Sequence, residues 1–169
     1  SDVCSSDLIT LAGTIDLNAD PDVVDQKNDI VIIAEGGSII NGSGSAIAID
    51  EVNNLTLTAK GSIGSLAKPL TVNAKTISLT STSVTAGDAD IYINNNPNVL
   101  NLDSSDTVTL ATIDTGIEGK ITYRQTGQKL KITGPIKSYG GDILIDPPTD
   151  LLINETINGG GGSVTAEAT

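Results

Sequence analysis

Leu55-Thr56-Leu57-Thr58-Ala59 is the stretch that decides the fold, because its last three residues return 22 positions later as Leu79-Thr80-Ser81. Apolar and hydroxyl side chains alternate in this stretch, which is the pattern of a β-strand with one buried face. A second repeat relates Gly140–Ile143 to Gly161–Val164 over 21 positions. A period in the low twenties predicts a solenoid, in which neighbouring coils stack to bury a shared apolar core.

Short triplets with apolar residues at both ends, and often Thr or Ser in the middle, recur along most of the chain. They lie at 9–11, 15–17, 47–49, 55–57, 70–72, 77–79, 91–93, 100–102, 108–110, 121–123, 130–132 and 143–145. Gly, Asn, Asp and Pro, the residues that favour turns, stand between the triplets. No window of about 11 or more residues shows a helical period, so the sequence predicts an all-β chain with almost no helix.

Coils of roughly 21–24 residues fit this spacing, and a chain of 169 residues would then form about seven of them. The interior of such a coil is narrow. The composition agrees, because the chain has no Phe, Trp or Met and only three Tyr, so that Ile, Leu, Val and Ala must fill the core. The alternative fold is a tandem β-sandwich, whose repeats would be nearer ~80–100 residues with longer strands.

The chain is acidic, with 21 Asp and Glu residues against 9 Lys and Arg residues and a net charge of −12. Nucleic acid phosphates require cationic partners, and anionic membrane surfaces repel an acidic protein, so we expect neither as a partner. No apolar run approaches the ~18–20 residues of a membrane span, so we expect no membrane insertion.

Basic residues are concentrated in one part of this acidic chain. Five of the nine, Lys120, Arg124, Lys129, Lys131 and Lys137, fall within 120–137. Two strand-like triplets flank Arg124–Lys129, which contains a Gly, and this arrangement is typical of a hairpin. We expect either a coil with a basic outer face or a hairpin-like excursion from the stack at 120–137.

Residues 1–8, Ser-Asp-Val-Cys-Ser-Ser-Asp-Leu, resemble the translated end of a widely used sequencing adapter. We therefore expect residues 1–8 to be an artefact and the natural protein to begin near Ile9. Residues 9–169 are then a β-solenoid repeat fragment that is open at both ends. The single cysteine, Cys4, belongs to the artefact, and one cysteine permits no internal disulfide in any case.

The chain has no His, which removes Ser-His and Cys-His nucleophile pairs and histidine metal sites. Carboxylates that could serve a polysaccharide hydrolase are Asp88 with Asp90 on one strand, and Asp142, Asp146 and Asp150 along nearby coils. Such sites usually also hold Arg, Lys and aromatic residues, which are scarce here. We predict that the chain is not an enzyme and has no catalytic residues.

Calcium is the cofactor that an Asp-rich chain suggests, because carboxylate oxygens are its preferred ligands. Asp20, Asp22 and Asp25, or Asp88 with Asp90, could supply them. Neither group follows the Gly-Gly-x-Gly-x-Asp nonapeptide of calcium-binding β-rolls, and Asp also favours turns because its side chain hydrogen-bonds the backbone. We expect no cofactor and no metal site, with calcium as the alternative.

Three stretches follow one another as parts of a longer pattern: Leu55–Gly64 reads L-x-L-x-A-x-G-x-I-G, Lys68–Ala74 contains P-L-x-V, and Ile91–Ile93 reads I-Y-I. This order resembles the repeats of filamentous haemagglutinin-type adhesins. Gly140–Ile145 and Gly159–Val164 are similar to the glycine-punctuated coils of the same proteins, so the resemblance covers about residues 30–169. It implies a right-handed parallel β-helix in the stalk of a large bacterial surface or secreted protein.

The resemblance also implies export by an outer-membrane secretion partner or through the protein's own barrel. The secretion domain of that family carries an Asn-Pro-Asn-Gly motif, whereas here Asn96-Pro97-Asn98 is followed by Val99. We do not assign a secretion role to this position.

We expect a structural stalk or display segment of a large bacterial adhesin, secreted or at the cell surface. Its partners would be glycans or proteins of a host or environmental surface, bound through repetitive exposed faces. The first alternative is a carbohydrate-binding β-module, and the second is a fragment of a β-helical polysaccharide lyase or hydrolase.

Overall fold

Short β-strands make up the secondary structure of the computed structural model, which describes residues 8–13, 15–16, 29–42, 47–97, 107–147 and 149–168. The strands are β1 (Ile9–Leu11), β2 (Ile15–Asp16), β3 (Asp29–Ala34), β4 (Ile39–Asn41), β5 (Ile49–Ala59), β6 (Leu70–Ser81), β7 (Ile91–Asn95), β8 (Thr107–Asp114), β9 (Ile121–Gln125), β10 (Lys129–Ile132), β11 (Ile136–Lys137), β12 (Ile143–Asp146), β13 (Leu151–Ile153), β14 (Ile157–Asn158) and β15 (Val164–Ala166). No α-helix occurs within these ranges, and hence no helix that could cross a bilayer.

Neighbouring strands pair in parallel throughout the described residues. β6 pairs with β5 on one side, and on the other side with β7 along its first half and β8 along its second half. The stack forms a β-solenoid of about 5 turns. The prediction of an all-β parallel β-helix is therefore confirmed, and the tandem β-sandwich, whose strands pair antiparallel, is excluded.

Rows of apolar side chains run along the solenoid axis because equivalent positions face each other across the coils. Three of these rows are Ile63-Ile91-Ile121-Ile143, Leu70-Ile93-Tyr123-Ile145 and Leu57-Leu79-Ile113-Ile136. Every member is at most 1% exposed. Aliphatic residues fill these rows as the composition predicts, except that Tyr123 also points into the core.

The coils differ in length. Three steps of the stack are 22, 22 and 21 residues long: Leu55 to Ile77, Leu110 to Ile132, and Ile132 to Ile153. These steps match the predicted 21–24 residues. The step from Ile77 to Leu110 spans 33 residues and includes an extra turn at 85–88, where Asp88 N–H donates to the Thr85 carbonyl. Because a coil of this length uses more residues per turn, the chain forms about 5 turns rather than the seven that a uniform period would give.

The basic stretch 120–137 is part of the stack. β9 lies between β7 and β12, and β10 lies between β8 and β13, all in parallel. These two strands do not pair with each other, so the hairpin-like excursion is wrong and the stretch belongs to regular coils. The physical reason is burial of the apolar positions, which continue the core rows: Ile121, Tyr123, Leu130, Ile132 and Ile136.

Glycines stack at one corner of the solenoid, where consecutive coils approach each other closely. Gly119, Gly141 and Gly162 stand one above another. A Cβ atom on Gly141 would meet the backbone of Gly119, and one on Gly162 would meet the backbone of Gly141. The repeated glycine pairs of the sequence therefore mark a corner that has no room for a side chain.

Some predicted features fall outside the described residues. These are residues 1–7 of the proposed adapter segment, the triplet at 100–102, and the calcium-ligand candidates Asp20, Asp22 and Asp25.

Candidate ligand groove

A groove with a volume of about 650 Å³ crosses three consecutive coils of the solenoid. It lies beside the start of β6, the end of β7 and the end of β9. Its lining residues are Ala67, Lys68, Pro69, Thr71, Asn94, Asn95, Asn96, Arg124, Gln125 and Thr126. Two of these residues are cationic and none is acidic, in a chain with 21 acidic residues.

The outer wall of the groove is a row of polar side chains. Thr71 faces Asn94 in the next coil, and Asn94 faces Arg124. Asp146 faces Arg124 from the following coil and continues the row beyond the groove lining. Because residues on a strand alternate between its two faces, and the residue before each of these points into the core, this row points outward. Neighbouring members are separated by about 4.8 Å, the spacing of paired strands.

Arg124 is the cationic residue of this row. Its Nε lies 3.6 Å from Asp146 Oδ2, and the two side chains are 56% and 41% exposed. This distance exceeds the ~2.7–2.9 Å of a charge-assisted hydrogen bond, and exposed pairs of this kind contribute little. The ion pair therefore does not hold the guanidinium group firmly.

Lys68 enters the groove from the turn before β6. The turn is closed by two backbone bonds, in which Ser65 N–H donates to the Lys68 carbonyl and Lys68 N–H donates to the Ser65 carbonyl, both at 3.1 Å. Its ammonium group forms no ion pair with the described residues; the two ion pairs found there are Arg124–Asp146 and Lys129–Asp150. The turn thus fixes the Lys68 backbone while the side chain stays exposed.

The floor of the groove is a buried hydrogen-bond network. Asn95 Nδ2 donates to the Ala74 carbonyl at 3.0 Å and to the Tyr123 hydroxyl at 3.2 Å, while its Oδ1 accepts from Ala74 N–H. The Tyr123 hydroxyl donates to Gln125 Oε1 at 2.8 Å, and Gln125 Nε2 donates to the Gln128 carbonyl at 2.7 Å. Asn95, Tyr123 and Gln125 are at most 5% exposed. Such a satisfied network rigidifies the floor beneath the exposed wall.

Burial raises the pKa of Tyr123 well above its ordinary value, and the hydrogen bond from Asn95 opposes this only in part. The phenol consequently stays protonated at neutral pH and acts as the donor that holds Gln125. At the rim, Thr126 Oγ1 donates to Asn96 Oδ1 at 2.7 Å and ties two coils together. The groove therefore combines a fixed polar floor with cationic, amide and hydroxyl groups on its wall.

The carboxylates that were considered for catalysis serve other contacts. Asp90 precedes β7 rather than lying on a strand; its Oδ1 accepts from Lys120 N–H at 2.8 Å and its Oδ2 from the Tyr92 hydroxyl at 3.2 Å. Burial, the nearby Asp90 charge and the hydrogen bond to Asp90 together raise the pKa of Tyr92 to about 12. Asp88 is exposed in the turn before it. Asp90 thus has a structural role at a corner of the coil.

The other three candidates belong to one coil rather than to neighbouring coils. Asp142 precedes β12, Asp146 ends it, and Asp150 precedes β13. Asp142 Oδ1 accepts from Ser163 N–H at 3.0 Å, and Asp150 lies 3.2 Å from Lys129. Within the described ranges, no group of three or more His, Cys, Asp or Glu residues comes together as a metal site would require.

The sequence drew attention to Arg124 but not to its neighbours in the groove. Lys68 and Arg124 are 56 positions apart, and they share a wall only because β6 pairs with β7 and β7 pairs with β9. This pairing could not be predicted from the sequence because the coils between these strands differ in length. The remaining basic residues of 120–137 are not part of the groove lining. The run Asn94-Asn95-Asn96 was the available signal, because Asn is depleted in strands and two of these amides belong to β7.

No known protein family, curated protein sequence or solved structure matches this chain.

Proposed function

We propose that this chain is a structural stalk and display segment of a large bacterial surface or secreted adhesin. The observation that supports this role best is the uninterrupted parallel stacking from β5 to β15 through successive coils. Each coil adds about 4.8 Å of length, and its outward side chains are repeated on the same face of the next coil. A stack of this kind builds a long structure with repeated outward-facing binding groups from a short sequence motif.

The adhesin assignment rests on the motif resemblance of 55–64, 68–74 and 91–93 to filamentous haemagglutinin-type repeats. The location at the cell surface or outside the cell, and the outer-membrane secretion partner, belong to the same proposal. No catalytic activity is part of it.

Antibodies raised against the purified chain test this proposal on cells that encode it. We expect them to label intact, unpermeabilised cells, and we expect their Fab fragments to reduce attachment of these cells to a surface that they colonise. Fab fragments against an abundant surface protein that is unrelated to attachment are the matched control. Labelling that requires permeabilisation would refute the surface location and with it the adhesin role.

A second candidate function is carbohydrate binding, and the groove favours it. The groove offers amide and hydroxyl groups beside the apolar surfaces of Ala67 and Pro69. Binding sites for small ligands usually combine a concave, partly apolar surface with a few fixed polar groups. Carbohydrate binding is compatible with a display role, since the groove lies on the outer face of the solenoid.

A further inference from the structure

We infer that the groove binds a carboxylate-bearing sugar chain, of the uronic acid class, with Arg124 and Lys68 as the anion-binding residues. This inference rests on the carbohydrate-binding role and specifies its ligand. Asn94 and Thr71 would bind sugar hydroxyl groups, and Ala67 with Pro69 would contact the apolar side of a ring.

Local charge is the first argument. The chain as a whole carries a charge of −12 and repels anions, but the groove lining carries two cations and no carboxylate. Asp146, next to the lining, is the carboxylate that pairs with Arg124, and Lys68 has no such partner among the described residues. A concave surface lined with one sign of charge concentrates the field inside it. An acidic protein that binds a neutral sugar would not need to exclude carboxylates from this surface.

The arrangement of Arg124 is the second argument. Asp146 Oδ2 lies 3.6 Å from Arg124 Nε, which is longer than a hydrogen bond, and both side chains are partly exposed, so this ion pair is loose. Planar guanidinium groups bind carboxylates in a bidentate manner, and such charge-assisted pairs are stronger than neutral hydrogen bonds. A ligand carboxylate that displaces Asp146 from this loose pair would gain a closer contact than the one it breaks.

The strand pairing favours a sugar chain over an acidic peptide. Extended peptides commonly bind by adding a strand to an exposed sheet edge. At the groove, β7 is already paired with β6 and β9, and β9 is already paired with β7 and β12. The wall therefore offers side chains, not backbone groups, and beneath it the hydrogen bonds of Asn95 to Ala74 tie β7 to β6.

Isothermal titration of the whole 169-residue protein tests the inference. The probes are tetragalacturonate, its fully methyl-esterified form and neutral maltotetraose, in a buffer with a chelator that removes calcium. We expect tetragalacturonate to bind about tenfold or more tightly than its ester, since loss of a charge-assisted pair costs ~1.5–3 kcal/mol. The affinity should also fall as salt is added.

The variant R124Q/K68Q should weaken tetragalacturonate binding about tenfold or more, while binding of maltotetraose should not change. K131Q is the matched control, because Lys131 lies on the outer side of β10 and outside the groove lining, and its substitution also removes a positive charge. All three side chains are partly or fully exposed, so far-UV circular dichroism should show the same fold in every variant.

Equal binding of the acid and its ester, or equal binding by wild type and R124Q/K68Q, would overturn the inference. Binding of maltotetraose alone would also overturn it but would leave the carbohydrate-binding role intact. If none of the three probes bound, both the inference and the carbohydrate-binding role would fail, whereas the stalk proposal is tested separately on cells.

Discussion

Tyr123 places a phenol in a core row that is otherwise aliphatic. Its side chain is fully buried, and its hydroxyl accepts from Asn95 and donates to Gln125. The neutral phenol therefore holds together the floor of the groove. Burial favours the protonated form, so the pKa of Tyr123 in the folded protein lies above that of an unfolded tyrosine, which is about 10.

Tyr123→Phe should change the dependence of stability on alkaline pH. Below pH ~10 the Tyr123 phenol of the wild type is protonated in both the folded and the unfolded state, so its contribution to stability is fully present. Above this pH the unfolded state loses the proton first, and the free energy of unfolding therefore falls as pH rises. Between pH 9 and pH 11 this group should lower the free energy of unfolding by about 1.4 kcal/mol. Tyr123→Phe should not show this fall in the free energy of unfolding, because phenylalanine has no proton to lose.

At pH 9 Tyr123→Phe should itself be less stable by about 1–3 kcal/mol, because Asn95 and Gln125 lose a buried partner. Urea unfolding at both pH values measures the two effects. Other groups that lose a proton at alkaline pH, Tyr92 among them, are common to both proteins, so the difference between the two isolates Tyr123. An equal fall in stability in both proteins would contradict the prediction.

Gly141→Ala tests the close approach of coils at the glycine corner. The new Cβ would collide with the Gly119 carbonyl, a backbone group that cannot move without shifting the coil. We expect a loss of about 1–3 kcal/mol in the free energy of unfolding, as for other overpacked sites. Gly13→Ala is the control, because a Cβ there meets nothing within 4 Å, and it should stay within ~0.5 kcal/mol of wild type. Equal effects of the two substitutions in urea unfolding would refute this account.

At the scale of the element, strand positions follow directly from the sequence because the inward face of each strand must be apolar. The triplets at 70–72, 91–93, 121–123 and 143–145 all fall within strands. Pairing partners are harder to predict. The same alternation in β9 and β10 is compatible with a hairpin and with a coil, and only the continuation of both core rows through neighbouring coils decides between them.

Coil length is the other property that could not be predicted from the sequence. The turn residues of Thr85–Asp88 look like those of any corner, so nothing local shows that they lengthen a coil. The register across long coils was therefore not predictable, and neither was the groove, because it depends on that register to bring Lys68, Asn94 and Arg124 onto one wall. Arg124 alone could be singled out, from its place in a basic stretch of an acidic chain.

At the scale of the whole molecule, stability should vary along the axis, because each coil interacts only with its neighbours. β13, β14 and β15 each pair on one side only, with β10, β11 and β12 respectively. Their inward side chains are correspondingly less covered. Ile153 and Val164 are 47% and 46% exposed, whereas their row partners Ile132 and Ile143 are at most 1% exposed.

Hydrogen exchange followed by mass spectrometry should therefore show faster exchange of backbone amides at 151–166 than at 121–146. Because Ile153 and Val164 are only half buried, they contribute about 2 kcal/mol less burial free energy than fully buried residues would. This difference corresponds to amide exchange about thirtyfold faster through local opening of this coil. Because opening of the last coil leaves the pairing of β9 with β7 intact, the groove should keep its protection while the end of the stack exchanges. Uniform protection from β9 to β15 would instead mean that the coils open together, and independent coil stability would then be wrong.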